Sequence, residues 1–555
     1  MTTRYRRAAG LLALLWLFLG FGAPALAAAP YVPVSGAGST WSQNALDQWR
    51  RNVTQYGMQI NYSGTGSSDG RNQFRNGTVD YAVSEIPYGL SDTGVVDQPP
   101  ARPYAYMPIV AGGTSFMYNL KIGGKQVTNL RLSQDVLAKI FTGVITRWND
   151  PAIKADNPAL ALPGRSIVPV VRSDGSGTTA QLTTWLSKRF GSVWDDYCRR
   201  AGRPTPCGIT SVFPVVPGGL FTAQSGSLGV SGYVAQSSSE GAITYVEYSY
   251  ALNTGFPVVK VRNAANYYTE PTAENVAVAL MRARIDERTN VPTYLTQILD
   301  DVYVNPDRRT YPLSSYSYMI IPTSTQSPFS TDKGRTLGAF GYYFLCQGQQ
   351  QAKALGYSPL PINLVQAGFT QVRRIPGVNV QSINIRSCNN PTFSTNGSNT
   401  LANTAPYPPA CDQAGATQCT SGTGGARRTS TPASNHGSSG NGNNNNGGTG
   451  TNNNGGNGGS NNNGNSGNGT NNNGTSGPKT SSPNQPGAVD PDTGQSIAAG
   501  NGGGGDAAAI PVDLTAANGT GVQTALMIVG GTLLGGLAIV PPLLARSLDN
   551  RRRSR

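Results

Sequence analysis

Three short stretches of the chain combine the residue types that hold a small anion. They read Gly36-Ala37-Gly38-Ser39-Thr40, Gly64-Thr65-Gly66-Ser67-Ser68 and Arg172-Ser173-Asp174-Gly175-Ser176-Gly177-Thr178-Thr179. Glycines let a backbone approach a ligand closely, and serine and threonine hydroxyls add hydrogen-bond donors. A helix start leaves N–H groups unpaired and carries partial positive charge, so it favours an anion. Helices are expected to start near Thr40, near Asp69 and after the five small or flexible residues that follow Arg172. Three such starts facing one cleft, with Arg172 as the single full charge, would enclose a small tetrahedral anion in donors. Any one of these hydroxyls can serve merely as a helix cap. Three copies together with an arginine point to binding.

Short apolar runs precede each turn (VPVS, MQINYS, IVPVV), and helical periodicity follows each one. That alternation of strands and helices marks an α/β architecture. In doubly wound sheets ligands sit beyond the carboxyl ends of the strands, where these turns would lie.

Catalytic alternatives fail on the residue inventory. Gly66-Ser67-Ser68-Asp69-Gly70 matches the G-x-S-x-G nucleophile elbow. Yet the one histidine of the chain, His436, lies inside a long Asn/Gly-rich stretch. A Ser-His-acid triad therefore has no base, and a zinc hydrolase has no imidazole ligands. The P-loop pattern is absent as well. No catalytic residue, metal or cofactor is expected.

The two ends of the chain give an expected topology. Arg4, Arg6 and Arg7 precede the apolar run LLALLWLFLGFG and the small-residue segment APALA. Residues 1–27 thus read as a secretory signal peptide. Residues 524–544 form an uncharged apolar run of bilayer-spanning length, and Arg546, Arg551, Arg552, Arg553 and Arg555 follow it. A C-terminal transmembrane helix with a cytoplasmic basic tail, 545–555, is the reading. Residues 391–520, dominated by Asn, Gly, Ser and Thr, are expected to be a disordered linker. The head, 28–390, has the size of two lobes: 28–106 with 256–390, and 107–255.

Charge and cysteines refine the picture. Of the net +14, three charges sit in the signal peptide and a net four in the basic tail, leaving +7 outside. That suits a modest attraction for anions and not a nucleic-acid partner. Six cysteines in an exported chain read as three disulfides, with sequential pairing expected.

With GAGST, GTGSS and RSDGSGTT in place, the chain resembles the periplasmic phosphate-binding proteins of bacterial phosphate ABC transporters. FTGVITRWNDPAI, GAITYVEYSYAL and the run from TYPLSSYSYMIIP to ALGYSPLP extend the likeness over nearly the whole head. The resemblance implies a two-lobed periplasmic-binding-protein fold whose hinge closes over one inorganic phosphate without catalysis. It implies that Thr40 and the Trp41 N–H donate from the first helix start, and Ser67 from the second. Arg172 would supply the charge, positioned by Asp174, while Ser176, Gly177 and Thr178 would donate from the third start. In the family an aspartate accepts a hydrogen bond from the protonated phosphate oxygen, which sulfate cannot offer. Glu85 stands at that position here, one methylene longer, and Trp41 stands where phenylalanine is usual. ABC permease subunits are the implied partners, with a sensor or surface interaction protein on the same scaffold as the alternative.

Overall fold

The structure, a computed structural model, describes residues 31–431 apart from 93, 94, 290, 386, 387, 395 and 430. The expected signal peptide, transmembrane helix and basic tail lie outside the described residues. Among the described residues no helix is long and apolar enough to cross a membrane.

Eight strands form one continuous sheet. In chain order they are β1 Val34–Gly38, β2 Ile60–Ser63, β3 Tyr81–Ser84, β4 Tyr104–Tyr118, β5 Val168–Arg172, β6 Thr222–Gln224, β7 Ala242–Glu247 and β8 Ser314–Pro322. Their spatial order is β6-β5-β7-β4-β8-β3-β1-β2. Pairing is parallel among β1, β2 and β3 and among β5, β6 and β7, but antiparallel wherever β4 or β8 is involved. The central strands are buried along nearly their whole length, as sheets covered on both faces require.

The 15-residue β4 belongs to both lobes. Its first part, Tyr104 to Gly113, pairs with β8, and its second part, Thr114 to Tyr118, pairs with β7. The lobe boundary expected at 106/107 lies within the part of β4 that pairs with β8, and β4 changes partner after Gly113. Beyond the expected return at 256, Lys260 and Val261 pair with Arg131 and Leu132. Within β4, Pro108 cannot donate to the ladder, and the register shifts opposite it, between Ser317 and Tyr318 of β8.

Five helices matter to the site: α1 Gln43–Val53, α2 Ser67–Arg75, α3 Gly177–Arg189, α4 Gly226–Ala235 and α5 Tyr248–Asn253. Three disulfides join Cys198 to Cys207, Cys346 to Cys388 and Cys411 to Cys419, the sequential pairing expected.

Residues 391–431, expected within the linker, are instead packed onto the body. Leu401, Ala402 and Ala405 cluster with Ala277 and Val278, and Arg309 Nη1 donates to the Ala402 carbonyl at 3.0 Å, all on the first-lobe side. After the segment Pro406-Tyr407-Pro408-Pro409 the chain reaches the second lobe. There Lys260 Nζ donates to Asp412 at 2.6 Å, Asn129 to the Cys419 carbonyl at 2.7 Å, and the Thr423 N–H to the Thr128 carbonyl at 2.9 Å. This stretch has few large apolar groups, so its order rests on backbone hydrogen bonds, one disulfide and one buried ion pair.

Candidate anion-binding site

The parallel strands of both lobes point their carboxyl ends at one region, and the turns after them carry the candidate residues. From the first lobe come Ser39, Thr40 and Trp41 after β1, Ser67 at the start of α2, and Glu85 after β3. The second lobe supplies Arg172 at the end of β5 and Ser176, Gly177 and Thr178 at the start of α3. All of them are buried, with Glu85 at 1% and Arg172 at 2% exposure.

Arg172 is held from two sides. Its Nε donates to Asp174 Oδ1 at 2.6 Å and its Nη2 to Asp174 Oδ2, a bidentate pair that fixes the guanidinium plane. Burial raises the Asp174 pKa, but Arg172 and the Gly226 N–H outweigh it and hold the carboxyl below its ordinary range. The other edge of Arg172 bridges the lobes: Nη1 donates to Thr40 Oγ1 of the first lobe at 3.1 Å and to Ser227 Oγ of its own lobe at 3.2 Å. The main chain of Arg172 donates to the Tyr245 hydroxyl at 3.1 Å, which also meets Thr179 Oγ1 at 2.7 Å, anchoring the β5–α3 turn.

Glu85 is the hub on the first-lobe side. Its Oε1 accepts from Ser39 Oγ at 2.6 Å and from Ser317 Oγ at 2.7 Å, and its Oε2 from Ser67 Oγ at 2.9 Å. Burial raises the Glu85 pKa, and the three hydroxyls oppose that rise. Ser317 reaches Glu85 because the β3–β8 register, with Tyr318 opposite Ser84, brings the next pair of positions together. The carboxylate also closes on the second lobe. A Cβ added at Gly177 would sit 2.0 Å from Glu85 Oε2, so only glycine fits at that helix start.

Several expected roles take a different form. The first helix begins at Gln43, not near Thr40, so Thr40, Trp41 and Ser42 form a turn ahead of it. The Trp41 N–H donates to Ser39 Oγ at 3.0 Å. The Ser67 hydroxyl is engaged by Glu85, and the second helix begins at Ser67 itself, two residues before Asp69. Ser176 Oγ caps α3 by accepting from the Thr179 N–H at 3.2 Å. The Trp41 indole is fully buried against Tyr357, with 5.7 Å between ring centroids, and it fills the space over Gly112.

Three members of the cluster had not been singled out: Ser39, Ser227 and Ser317. Ser227 opens α4 after β6 and is a fourth strand-turn-helix copy, in which Ser225-Gly226-Ser227 repeats the Gly/Ser signal. Ser317 lies inside a strand, where an isolated serine carries no turn signal.

Two α/β lobes that share a strand and converge polar helix starts on one buried arginine define a two-lobed solute-binding protein. The sequence matches the PBP superfamily domain over residues 23–347. The phosphate-binding protein PstS of Xylella fastidiosa is 32% identical over 336 residues, covering 60% of this chain and 83% of that protein. PstS of Methanocaldococcus jannaschii is 31% identical over 354 residues, covering 61% and 85%. A solved phosphate-binding protein from Stenotrophomonas maltophilia superposes with a TM-score of 0.43 at 19% identity, covering 60% of this chain and 92% of that one. The chain belongs to the PBP superfamily and, within it, to the family of the phosphate-binding proteins PstS.

Proposed function

We propose that this protein is an extracytoplasmic receptor that binds inorganic phosphate between its two lobes and delivers it to an ABC permease. The observation that carries the reading is the convergence of Arg172, Thr40, Ser67, Glu85 and the α3 start from both lobes onto one buried cluster. Membership of the PstS family supports phosphate as the anion. Arg172 supplies charge, Asp174 orients it, and Thr40, Ser67, Ser176 and the N–H groups of Trp41, Gly177 and Thr178 are the donor set. Glu85 accepts from the proton of the bound phosphate. Binding reorganises this set: hydroxyls that now meet each other or Glu85 turn toward the anion as the lobes close on it, displacing water.

Residues 524–544 tether the receptor to the membrane in this reading, with the polar stretch before them as spacer. No reaction is assigned to the site. Isothermal titration of the protein with phosphate tests the proposal. One saturable site, lost in Arg172→Ala, is expected; a folded protein that does not bind phosphate contradicts it.

A further inference from the structure

Glu85 offers about four lone-pair directions on its carboxylate. Three are filled by serine hydroxyls, two of them on Oε1, by Ser39 and Ser317. The proton placement is constrained. Ser39 Oγ accepts from the Trp41 N–H, so its single proton is free for Glu85. Ser317 Oγ lies 3.2 Å from Ser42 Oγ but 2.7 Å from Glu85 Oε1, so its single proton goes to the nearer, charged acceptor. The main chain of Glu85 adds a further donor, and Oε2, which accepts from one serine only, is the oxygen that lies against Gly177 of the opposite lobe.

We propose that Ser39 and Ser317 are positioning residues that set which oxyanions the site accepts. By committing both protons to Oε1 they hold Glu85 as a charged acceptor whose other oxygen, Oε2, faces the second lobe. The site then takes tetrahedral oxyanions that still carry a proton, phosphate or arsenate, and rejects sulfate, which would leave that acceptor unpaired. The proposal rests on the phosphate reading above and adds the residues that make a glutamate serve there.

The surroundings of Glu85 leave this control to the hydroxyls. Its carboxylate is shifted by its own burial, then by Ser39, Ser317 and Ser67, and by its own main-chain donor. Charged groups on the neighbouring elements are already engaged: Arg172 pairs with Asp174, Arg71 of α2 with Asp97, and Asp69 of α2 accepts from Gln73. Removing a serine donor thus raises the Glu85 pKa further. Once protonated, Glu85 donates a hydrogen bond to any oxyanion and the discrimination disappears.

The test titrates the full-length protein, Ser39→Ala, Ser317→Ala, the double alanine variant and Ser317→Thr with sodium phosphate and sodium sulfate from pH 5 to 9. The wild type is expected to bind phosphate selectively, with sulfate binding appearing only toward low pH. In each alanine variant the phosphate-to-sulfate affinity ratio falls by about tenfold or more, since a hydrogen bond to a charged group is lost. The onset of sulfate binding moves to higher pH, and Ser317→Thr, which keeps the hydroxyl, behaves as wild type. Alanine variants with the wild-type ratio and pH profile overturn the proposal alone. A wild type that binds neither anion overturns the receptor reading and this proposal with it. Ser39→Ala alone carries the test if the double variant does not fold.

Discussion

Arg172 and Thr40 belong to different lobes, yet Arg172 Nη1 donates to Thr40 Oγ1 at 3.1 Å. Thr40 Oγ1 in turn lies 2.6 Å from Ser227 Oγ across 187 residues of sequence. The cleft is thus closed by hydrogen bonds among the groups proposed to hold the ligand. A buried guanidinium whose far edge is fixed by Asp174 keeps its near edge in one place, ready to exchange Thr40 and Ser227 for an anion.

Arg172→Ala is expected to weaken phosphate binding at least about 30-fold, because truncating one partner of a buried charge pair costs about 2–5 kcal/mol. It also leaves Asp174 buried without its main partner. Arg172→Lys should recover only part of the loss, since an ammonium cannot reproduce the bidentate fork. Isothermal titration of both variants checks this order.

Gly177→Ala places a methyl 2.0 Å from Glu85 Oε2 and 2.5 Å from Ser67 Oγ. Because those neighbours belong to the opposite lobe, the clash opens the cleft and need not unfold either lobe. Phosphate affinity is expected to drop about tenfold or more while the denaturation midpoint moves little. A variant with wild-type affinity would show that the lobes need not meet here.

Trp41 and Gly112 are coupled by space, since a Cβ at Gly112 would lie 2.8 Å from the indole. Gly112→Ala alone should destabilise by about 1–3 kcal/mol through overpacking. In a Trp41→Phe background the smaller ring leaves room, so the double variant should recover about 1 kcal/mol relative to additivity. Urea denaturation of the four proteins measures the coupling.

Glu247 ends β7 and caps α5, with Oε2 accepting from the Ser249 N–H at 2.7 Å. Its Oε1 is buried with no hydrogen-bond partner among the described residues, and burial holds its pKa well above the ordinary range. A raised folded-state pKa contributes stability that is fully present below the unfolded value, about 4.3. That contribution is lost as pH rises through the folded value. Glu247→Gln removes the ionisation, so the variant should be more stable than wild type at pH 8, the gap narrowing as pH falls toward 4. Denaturant midpoints across that range give the sign.

Lys260→Met removes the partner of the buried Asp412. Breaking a buried pair from one side costs about 3 kcal/mol, and here the loss should appear first as release of residues 406–431 from the second lobe. Faster amide exchange confined to that segment, with the rest of the body protected, is the expected pattern.

Much of the site was legible in sequence because glycine and serine punctuate the change from strand to helix. GAGST, GTGSS and DGSGTT announce both a turn and its donors, and Arg172 is the one charge among them. Ser317 was not legible: one strand hydroxyl among several in SSYSYMIIP, it gains its role only from the β3–β8 register. Ser227 follows a strand of three residues, too short to register as a pattern. The end of the body was misplaced at 390 because its last part shares the polar composition of the stretch beyond. The signals that contradicted composition were Cys411 and Cys419, eight residues apart, and the stiff Pro406–Pro409 crossing.

Titration of the full-length protein with phosphate and then sulfate tests the central claim most directly. A single tight phosphate site with no measurable sulfate binding at neutral pH is the predicted result. Equal affinity for the two anions would contradict the role of Glu85, and a folded protein that binds neither would contradict the receptor itself.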